Sequence, residues 1–242
     1  MIPLRDDIPR VHFPVAVIVV IAANLGAHLL LSAQPPQLQE ALYRLLGVVP
    51  ARYAFPDWAS LAGYPAMGAL PFFSYMFLHS GWWHLLMNMW MLWIFADNIE
   101  DVMGPLRFAA FYLLCGLAAL ALHMAFNLAE SAPVIGASGA VAGVMGGYVM
   151  LYPRGKVVTF IPIIIIPYIV DLPAWLFLGL WFLSQVLSGL FAHLGQQAGG
   201  IAWWAHVGGF LAGMLLVRLF MRPERCYYCQ YKGLRQSFRR SE

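Results

Sequence analysis

Charge is what this sequence has least of. Only 10% of its 242 residues are Asp, Glu, Lys or Arg, while 62% are hydrophobic, and the mean hydropathy is +0.72. An ordinary soluble domain carries about 25% charged residues, so a water-soluble fold is excluded and a polytopic membrane protein is expected. Cysteine is scarce too. Cys115 lies in an apolar run, and Cys226 and Cys229 form an isolated CxxC near the C-terminus. Three cysteines make no disulfide framework, and two thiols are too few for a tetrahedral structural zinc site. Unpaired cytosolic thiols are therefore expected at 226 and 229. The N-terminus lacks the basic n-region of a cleavable signal, since Met1 to Arg10 holds two acids and two bases. Phe13 to Leu31 thus reads as a retained first span.

The uncharged runs set the architecture, because crossing a hydrocarbon core of about 30 Å takes roughly 20 helical residues. After the first span, a loop over about 34–68 contains Pro35, Pro36, Pro50, Pro56 and Pro65. Leu38, Leu42, Leu45 and Leu46 at helical spacing suggest short amphipathic helices at the membrane surface there. The second span falls within Ala69–Ala96 and ends at Asp97-Asn98-Ile99-Glu100-Asp101; the third is Phe108–Ala129. A fourth starts near Ser138 and ends before Pro153. Leu172–Val217, 46 residues without a formal charge, has room for two more around the polar turn His193–Gly200. Val157–Val170 has only 14 residues and is expected to lie at the interface.

The expected fold class is therefore an all-α bundle of six transmembrane helices. It divides into an N-terminal segment at 1–12, a membrane domain at 13–221 and a basic tail at 222–242. With both termini in the cytoplasm, only Arg44 and Arg52 of the fourteen Lys and Arg lie outside, as the positive-inside rule requires. Each even-numbered span then begins at the outer face, which brings His84, Ser138 and His206 to similar depth.

That shared depth gives the polar residues a meaning. Ionisable groups inside a membrane are costly and by default mark function or a water-filled cavity. Ser138, in Gly136-Ala137-Ser138-Gly139, is a candidate nucleophile in need of a base. His206 precedes Gly209 and Gly213 on one helical face, which can press against the stripe Gly139, Gly143 and Gly147 and carry the imidazole to Ser138. No Asp or Glu occurs at that depth in the second, fourth or sixth span, so a Ser-His dyad is expected in place of a triad. His84 and Asn88 are four residues apart and share a face. With the Ser138 N–H they would form an oxyanion hole. His79 and His84, at i and i+5, fit a single metal ion poorly and no HExxH glutamate is present, so no metal is expected. His28, Cys115 and His123 read as packing residues.

These residues fall into three motifs: HxxxxHxxxN from His79 to Asn88, GxSG at Gly136–Gly139, and AHxxGxxxG from Ala205 to Gly213. Together and in this order they resemble the rhomboid family of intramembrane serine proteases, over about Ala69–Leu219. The resemblance implies a six-helix rhomboid-like fold with a water-accessible cavity, and hydrolysis of peptide bonds in or beside transmembrane segments of protein substrates. It implies Ser138 and His206 as catalytic residues, His84, Asn88 and the Ser138 backbone as the oxyanion hole, and His79, Gly136, Gly139, Gly209 and Gly213 as structural support. No cofactor and no nucleic-acid partner are implied; the partners are the bilayer and its proteins. A bacterial inner membrane is the expected location. The turn between the last two spans would belong to a mobile cap. Two positions depart from patterns seen in some bacterial members: Leu70-Pro71 stands where those have Trp-Arg, and Ala142 stands where an aromatic packs on the catalytic histidine. Trp203 or Trp204 is the expected substitute. The rival reading is a catalytically silent relative that binds transmembrane clients, against which the presence of both Ser138 and His206 speaks. A transporter fits less well, since the polar groups cluster at one end.

Overall fold

The computed structural model describes residues 1–65, 68–163, 166–194 and 201–230. The turn between the last two spans, at 195–200, and most of the basic tail, at 231–242, lie outside the described residues.

The chain is mostly helical. Strand β1 (Ile2–Asp6) leads into α1 (Val15–Ser32), followed by the short helices α2 (Pro36–Leu46), α3 (Pro50–Ala54), α4 (Pro56–Leu61) and α5 (Pro71–Ser74). Then come α6 (Trp82–Met103), α7 (Pro105–Phe126), α8 (Ser138–Leu151), strands β2 (Lys156–Ile163) and β3 (Ile166–Pro173), α9 (Ala174–Leu194) and α10 (Trp203–Phe220). Proline starts α2, α3, α4, α5 and α7 at the first turn, where its missing N–H costs nothing. Gly104, at φ +78°, ends α6 and allows the reversal into α7.

Among the described residues, α1, α7, α9 and α10 are long and apolar enough to cross a membrane. Large apolar side chains such as Leu30, Phe191, Leu215 and Leu219 point outward from them, as a lipid-facing surface requires. Helix α6 has 22 residues but carries Asp97, Glu100 and Asp101 near its end, and α8 has only 14. The short helix α8 is the centre of the bundle: every residue from Gly139 to Tyr148 is buried. It packs chiefly against α10 and α7, and also against α6.

Glycine makes this packing close. A Cβ on Gly209 would collide with the Gly139 carbonyl, and one on Gly213 with the Gly143 carbonyl. Gly139, Gly143 and Gly147 turn their own open side to α7, where a Cβ at Gly139 would come within 2.6 Å of Ala119 Cβ. The stripe therefore serves two neighbours at once.

Three expectations are corrected. The fold is not purely α. Residues 157–163 and 166–170 lie in two antiparallel strands, Lys156 pairing with Pro173 and Ile163 with Ile166, and β1 adds a third strand with Ile2 opposite Phe160. Periodicity cannot distinguish a short apolar run as strand or surface segment; the Val, Ile, Thr and Phe content favours the strand. The N-terminal segment is consequently part of the fold. Its backbone N–H groups at Val11 and His12 donate to the Asp101 carboxylate (2.6 and 2.7 Å), and those of Ala16 and Val17 donate to Glu100 (2.9 and 2.8 Å). Of these two buried carboxylates at the end of α6, Glu100 thereby satisfies otherwise unpaired N–H groups in the first turn of α1, and Asp101 ties down the segment that leads into it. Finally, Cys226 and Cys229 are not free thiols but bonded to each other, a bend at Tyr227 and Tyr228 bringing their Cα atoms to 5.3 Å. The described part of the tail is also packed: Arg222 N–H donates to the Val102 carbonyl, and Gln230 N–H to that of Leu151.

Candidate active site

The loop before α8 decides where its first residue sits. Val134 pairs with Val48 in a two-way backbone bridge, Ala51 N–H donates to the Glu130 carbonyl, and Gly136 N–H donates to the Tyr75 carbonyl at 2.9 Å. Tyr75 is itself fixed, its buried hydroxyl donating to the Gly116 carbonyl at 2.7 Å. Gly136 has φ +124°, a conformation that disfavours any residue with a Cβ. A Cβ there would also lie 2.8 Å from His84 Nε2. This glycine lets the chain turn into α8 beneath the His84 ring.

Ser138 opens α8, and its hydroxyl is hydrogen-bonded to His206 Nε2 at 2.8 Å. The glycine contacts of α8 with α10 hold the two helices at the separation this hydrogen bond needs. His84 Nδ1 is 3.2 Å from the Ser80 hydroxyl, which leaves Nε2 on the side of Gly136 and Ser138. Asn88 is buried one turn further along α6 and commits one amide hydrogen to the His84 carbonyl at 3.1 Å. Ser138, His206, His84 and Asn88 line one cavity of about 1410 Å³. His79 is fully buried outside it and meets the His84 ring edge-on, centroids 5.0 Å apart. The structure thus brings the predicted residues to one place. Of the support positions, Gly136 lies under His84, Gly139 and Gly209 sit at the α8–α10 contact beside the pair, and Gly213 holds the same contact one turn deeper.

Several neighbours were not foreseen. Gln185 of α9 places its Oε1 2.7 Å from His206 Nδ1. Trp181, one turn earlier on α9, lies 5.9 Å from the imidazole, and Trp203 meets it edge-on at 6.1 Å. Trp203 and Trp181 are therefore the aromatics beside the His206 ring, whereas Trp204 stacks on Phe126 at 4.2 Å. His123 does more than pack: its Nε2 is 3.0 Å from the Glu130 carboxylate at the cavity wall. A signal for Gln185 was present, since it is a lone amide within an apolar membrane helix.

The arrangement sets a hydroxyl against an imidazole, with His84 and Asn88 of α6 lining the same cavity beside the N-terminus of α8, and such a hydroxyl–imidazole pair can serve nucleophilic chemistry. Residues 68–223 match the family model described as Rhomboid domain. The chain is 31% identical over 143 residues to Rhomboid protein 1, mitochondrial, of Saccharomyces cerevisiae, covering 57% of this chain and 38% of that protein. It is 32% identical over 164 residues to RHOMBOID-like protein 4 of Arabidopsis thaliana, covering 64% and 35%. To the human Presenilin-associated rhomboid-like protein, mitochondrial, it is 28% identical over 149 residues, covering 58% and 35%. The match spans little more than a third of each relative. The chain belongs to the rhomboid family and is an integral membrane protein.

Proposed function

We propose that this protein is an intramembrane serine endopeptidase that cleaves transmembrane or membrane-proximal segments of other membrane proteins with a Ser138–His206 dyad. The observation that carries the proposal is the 2.8 Å hydrogen bond from the Ser138 hydroxyl to His206 Nε2 inside a cavity. A protein that only held clients would have no need of this alignment. On this reading α6 and α8 join the four longer apolar helices as membrane spans, making six with both termini in the cytoplasm. The bacterial inner membrane remains part of the proposal and rests on composition alone; the yeast and human relatives are named as mitochondrial.

In the first half-reaction Ser138 Oγ bonds to the scissile carbonyl carbon while His206 Nε2 takes the hydroxyl proton. The carbonyl oxygen becomes an oxyanion, which accepts hydrogen bonds from the Ser138 N–H, His84 Nε2–H and the remaining Asn88 N–H. The C–N bond then breaks, His206 returns the proton to the leaving amine, and an acyl-Ser138 ester remains. Water attacks the ester with His206 again accepting a proton, which releases the new carboxyl terminus and restores the hydroxyl. The positive end of α8 favours the oxyanion throughout.

The test is labelling of the reconstituted protein by a fluorophosphonate together with cleavage of a model transmembrane substrate. Wild type is expected to label and cleave, and Ser138→Ala and His206→Ala to do neither while still inserting. Asn88→Ala should lower the rate about 10²-fold, as loss of one oxyanion donor does. Equal cleavage by wild type and Ser138→Ala would overturn the proposal.

A further inference from the structure

We propose that Gln185 is a positioning residue for His206, fixing the imidazole as the Nδ1–H tautomer so that Nε2 is free to take the Ser138 proton. The proposal rests on the catalytic reading above and adds a third member to the dyad, a neutral amide from α9 that acts through the histidine.

The hydrogen-bond chain determines the direction of each bond. Gln185 Nε2 lies 2.9 Å from the Ser184 hydroxyl and 3.3 Å from the Trp181 carbonyl. A carbonyl can only accept, so the amide nitrogen must be on that side, and the amide oxygen Oε1 faces His206. That oxygen also only accepts. At 2.7 Å from His206 Nδ1 it requires the proton on Nδ1. A neutral imidazole has one N–H, so Nε2 presents a lone pair, and the Ser138 hydroxyl at 2.8 Å is its donor. The side chain that sets this order is buried. In the opposite tautomer Nε2–H would point at the serine oxygen, two N–H-free acceptors would face each other across 2.7 Å at Nδ1, and no base would be available.

The amide does one thing a carboxylate would do and omits another. It orients the ring, as the carboxylate of a triad does, but adds no negative charge, so an imidazolium formed during turnover gains only a dipole. A charge at that position in a buried site would favour the protonated ring and raise its apparent pKa. The same helix contributes Trp181 against the ring, so α9 supplies the Nδ1 partner and part of the packing of His206, beside Trp203 of α10, while the Nε2 partner comes from α8.

Three variants test this: Gln185→Leu removes the acceptor at similar size, Gln185→Met does so with a flexible chain, and Gln185→Glu keeps an acceptor and adds charge. Histidine ¹⁵N shifts of the protein in micelles, assigned by loss of the His206 resonance in His206→Asn, read the tautomer whether or not a substrate is found. Wild type is expected to carry the proton on Nδ1, and Gln185→Leu and Gln185→Met to lose that preference while thermal midpoints stay near wild type. In the cleavage assay the apolar variants should lower kcat about 10- to 10²-fold with KM unchanged, and Gln185→Glu should retain turnover with its acidic limb moved at least about one pH unit upward. An Nε2–H tautomer in wild type, or an unchanged tautomer in both apolar variants, would overturn the role of Gln185 even if Ser138 is shown to be the nucleophile. A correct tautomer in a protein whose Ser138→Ala variant cleaves as well as wild type would instead refute the protease reading and leave the positioning intact.

Discussion

Replacing Gly209 by alanine changes one hydrogen to a methyl group on a residue that takes no part in the chemistry, one turn below His206, and it should disable the site. The new Cβ would lie 2.8 Å from the Gly139 carbonyl carbon and closer still to its oxygen, whereas ordinary van der Waals contact begins near 3.4 Å. The obstacle is backbone on a helix buried along its length, so it cannot swing away as a side chain would. Relief of the carbon contact alone needs 0.6 Å, and the oxygen demands more, so α10 must withdraw from α8 by about 1 Å. Gly139 adjoins Ser138, and Gly209 follows His206 on the same face. The withdrawal therefore stretches the 2.8 Å Ser138–His206 bond beyond hydrogen-bonding range. A misplacement of about 1 Å can cost 10²-fold in rate, and overpacking a core typically costs about 1–3 kcal/mol. The measurements are the second-order rate of fluorophosphonate labelling and the midpoint of thermal unfolding in micelles. Gly213→Ala, at the same contact one turn deeper, should be destabilised to a similar extent with a smaller loss of labelling. A Gly209→Ala protein that labels at the wild-type rate would show that the α8–α10 spacing does not govern the pair.

The remaining predictions test other parts of the structure. Burial pushes the Asp6 carboxyl up to about 6, despite the hydrogen bond its oxygen accepts from Tyr148 at 2.6 Å, and Asp7 adds to the rise. Between pH 3.8 and about 6 the folded state then binds more protons than the unfolded one, so this group's contribution to stability falls as pH rises through that window. Asp6→Asn should stabilise the protein at pH 7 by at most about 3 kcal/mol and have little effect below pH 4, as read from thermal midpoints across pH; a uniform effect at all pH values would refute the cause. Glu100→Ala should destabilise by about 2–4 kcal/mol through loss of two charge-assisted bonds to the first turn of α1, with labelling of the residual folded protein unchanged; an unaltered midpoint would refute that role. Gly136→Ala should lose labelling through both its φ of +124° and the crowding of His84, and wild-type labelling by this variant would show that the turn can relax.

The parts of the site legible in the sequence are those written in short motifs on single helices. Gly209 and Gly213 share a face with His206 because of helical periodicity, and small residues every four positions on α8 announce a close neighbour. What the sequence did not disclose depends on partners far apart in the chain. Gln185 carries no motif, and its meaning comes from the rotation of α9 that points it at an imidazole 21 residues later. The three-stranded sheet joins residues 2–6 to residues 156–173, and a run of isoleucine, valine and proline carries no periodic signal that would announce such a pairing. Glu100 and Asp101 looked like the charged end of a span; the structure makes Glu100 the cap of α1, which has no side-chain cap of its own, and Asp101 the anchor of the segment before it.

The distribution of the site over the bundle has a mechanical consequence. Ser138 is on α8, the most enclosed helix, and its distance from α10 is set by backbone packed on backbone, a contact with almost no freedom. His206 is thus translationally fixed by α10. Its rotation and tautomer are governed from α9, which holds the ring through one amide bond and one tilted aromatic contact and turns exposed leucines such as Leu183, Leu187 and Leu190 to the lipid. Strand β3 runs straight into α9, and Ala174 N–H donates to the Gly155 carbonyl at 2.7 Å, so the sheet grips that helix at the end far from Gln185. An outward tilt of α9 about this grip would leave Ser138 and His206 within reach of each other but withdraw the acceptor from Nδ1. The distance between the pair and the readiness of the pair are therefore set by different helices, and Gly209→Ala and Gln185→Leu should separate them: the first should lower labelling together with stability, the second should lower labelling alone.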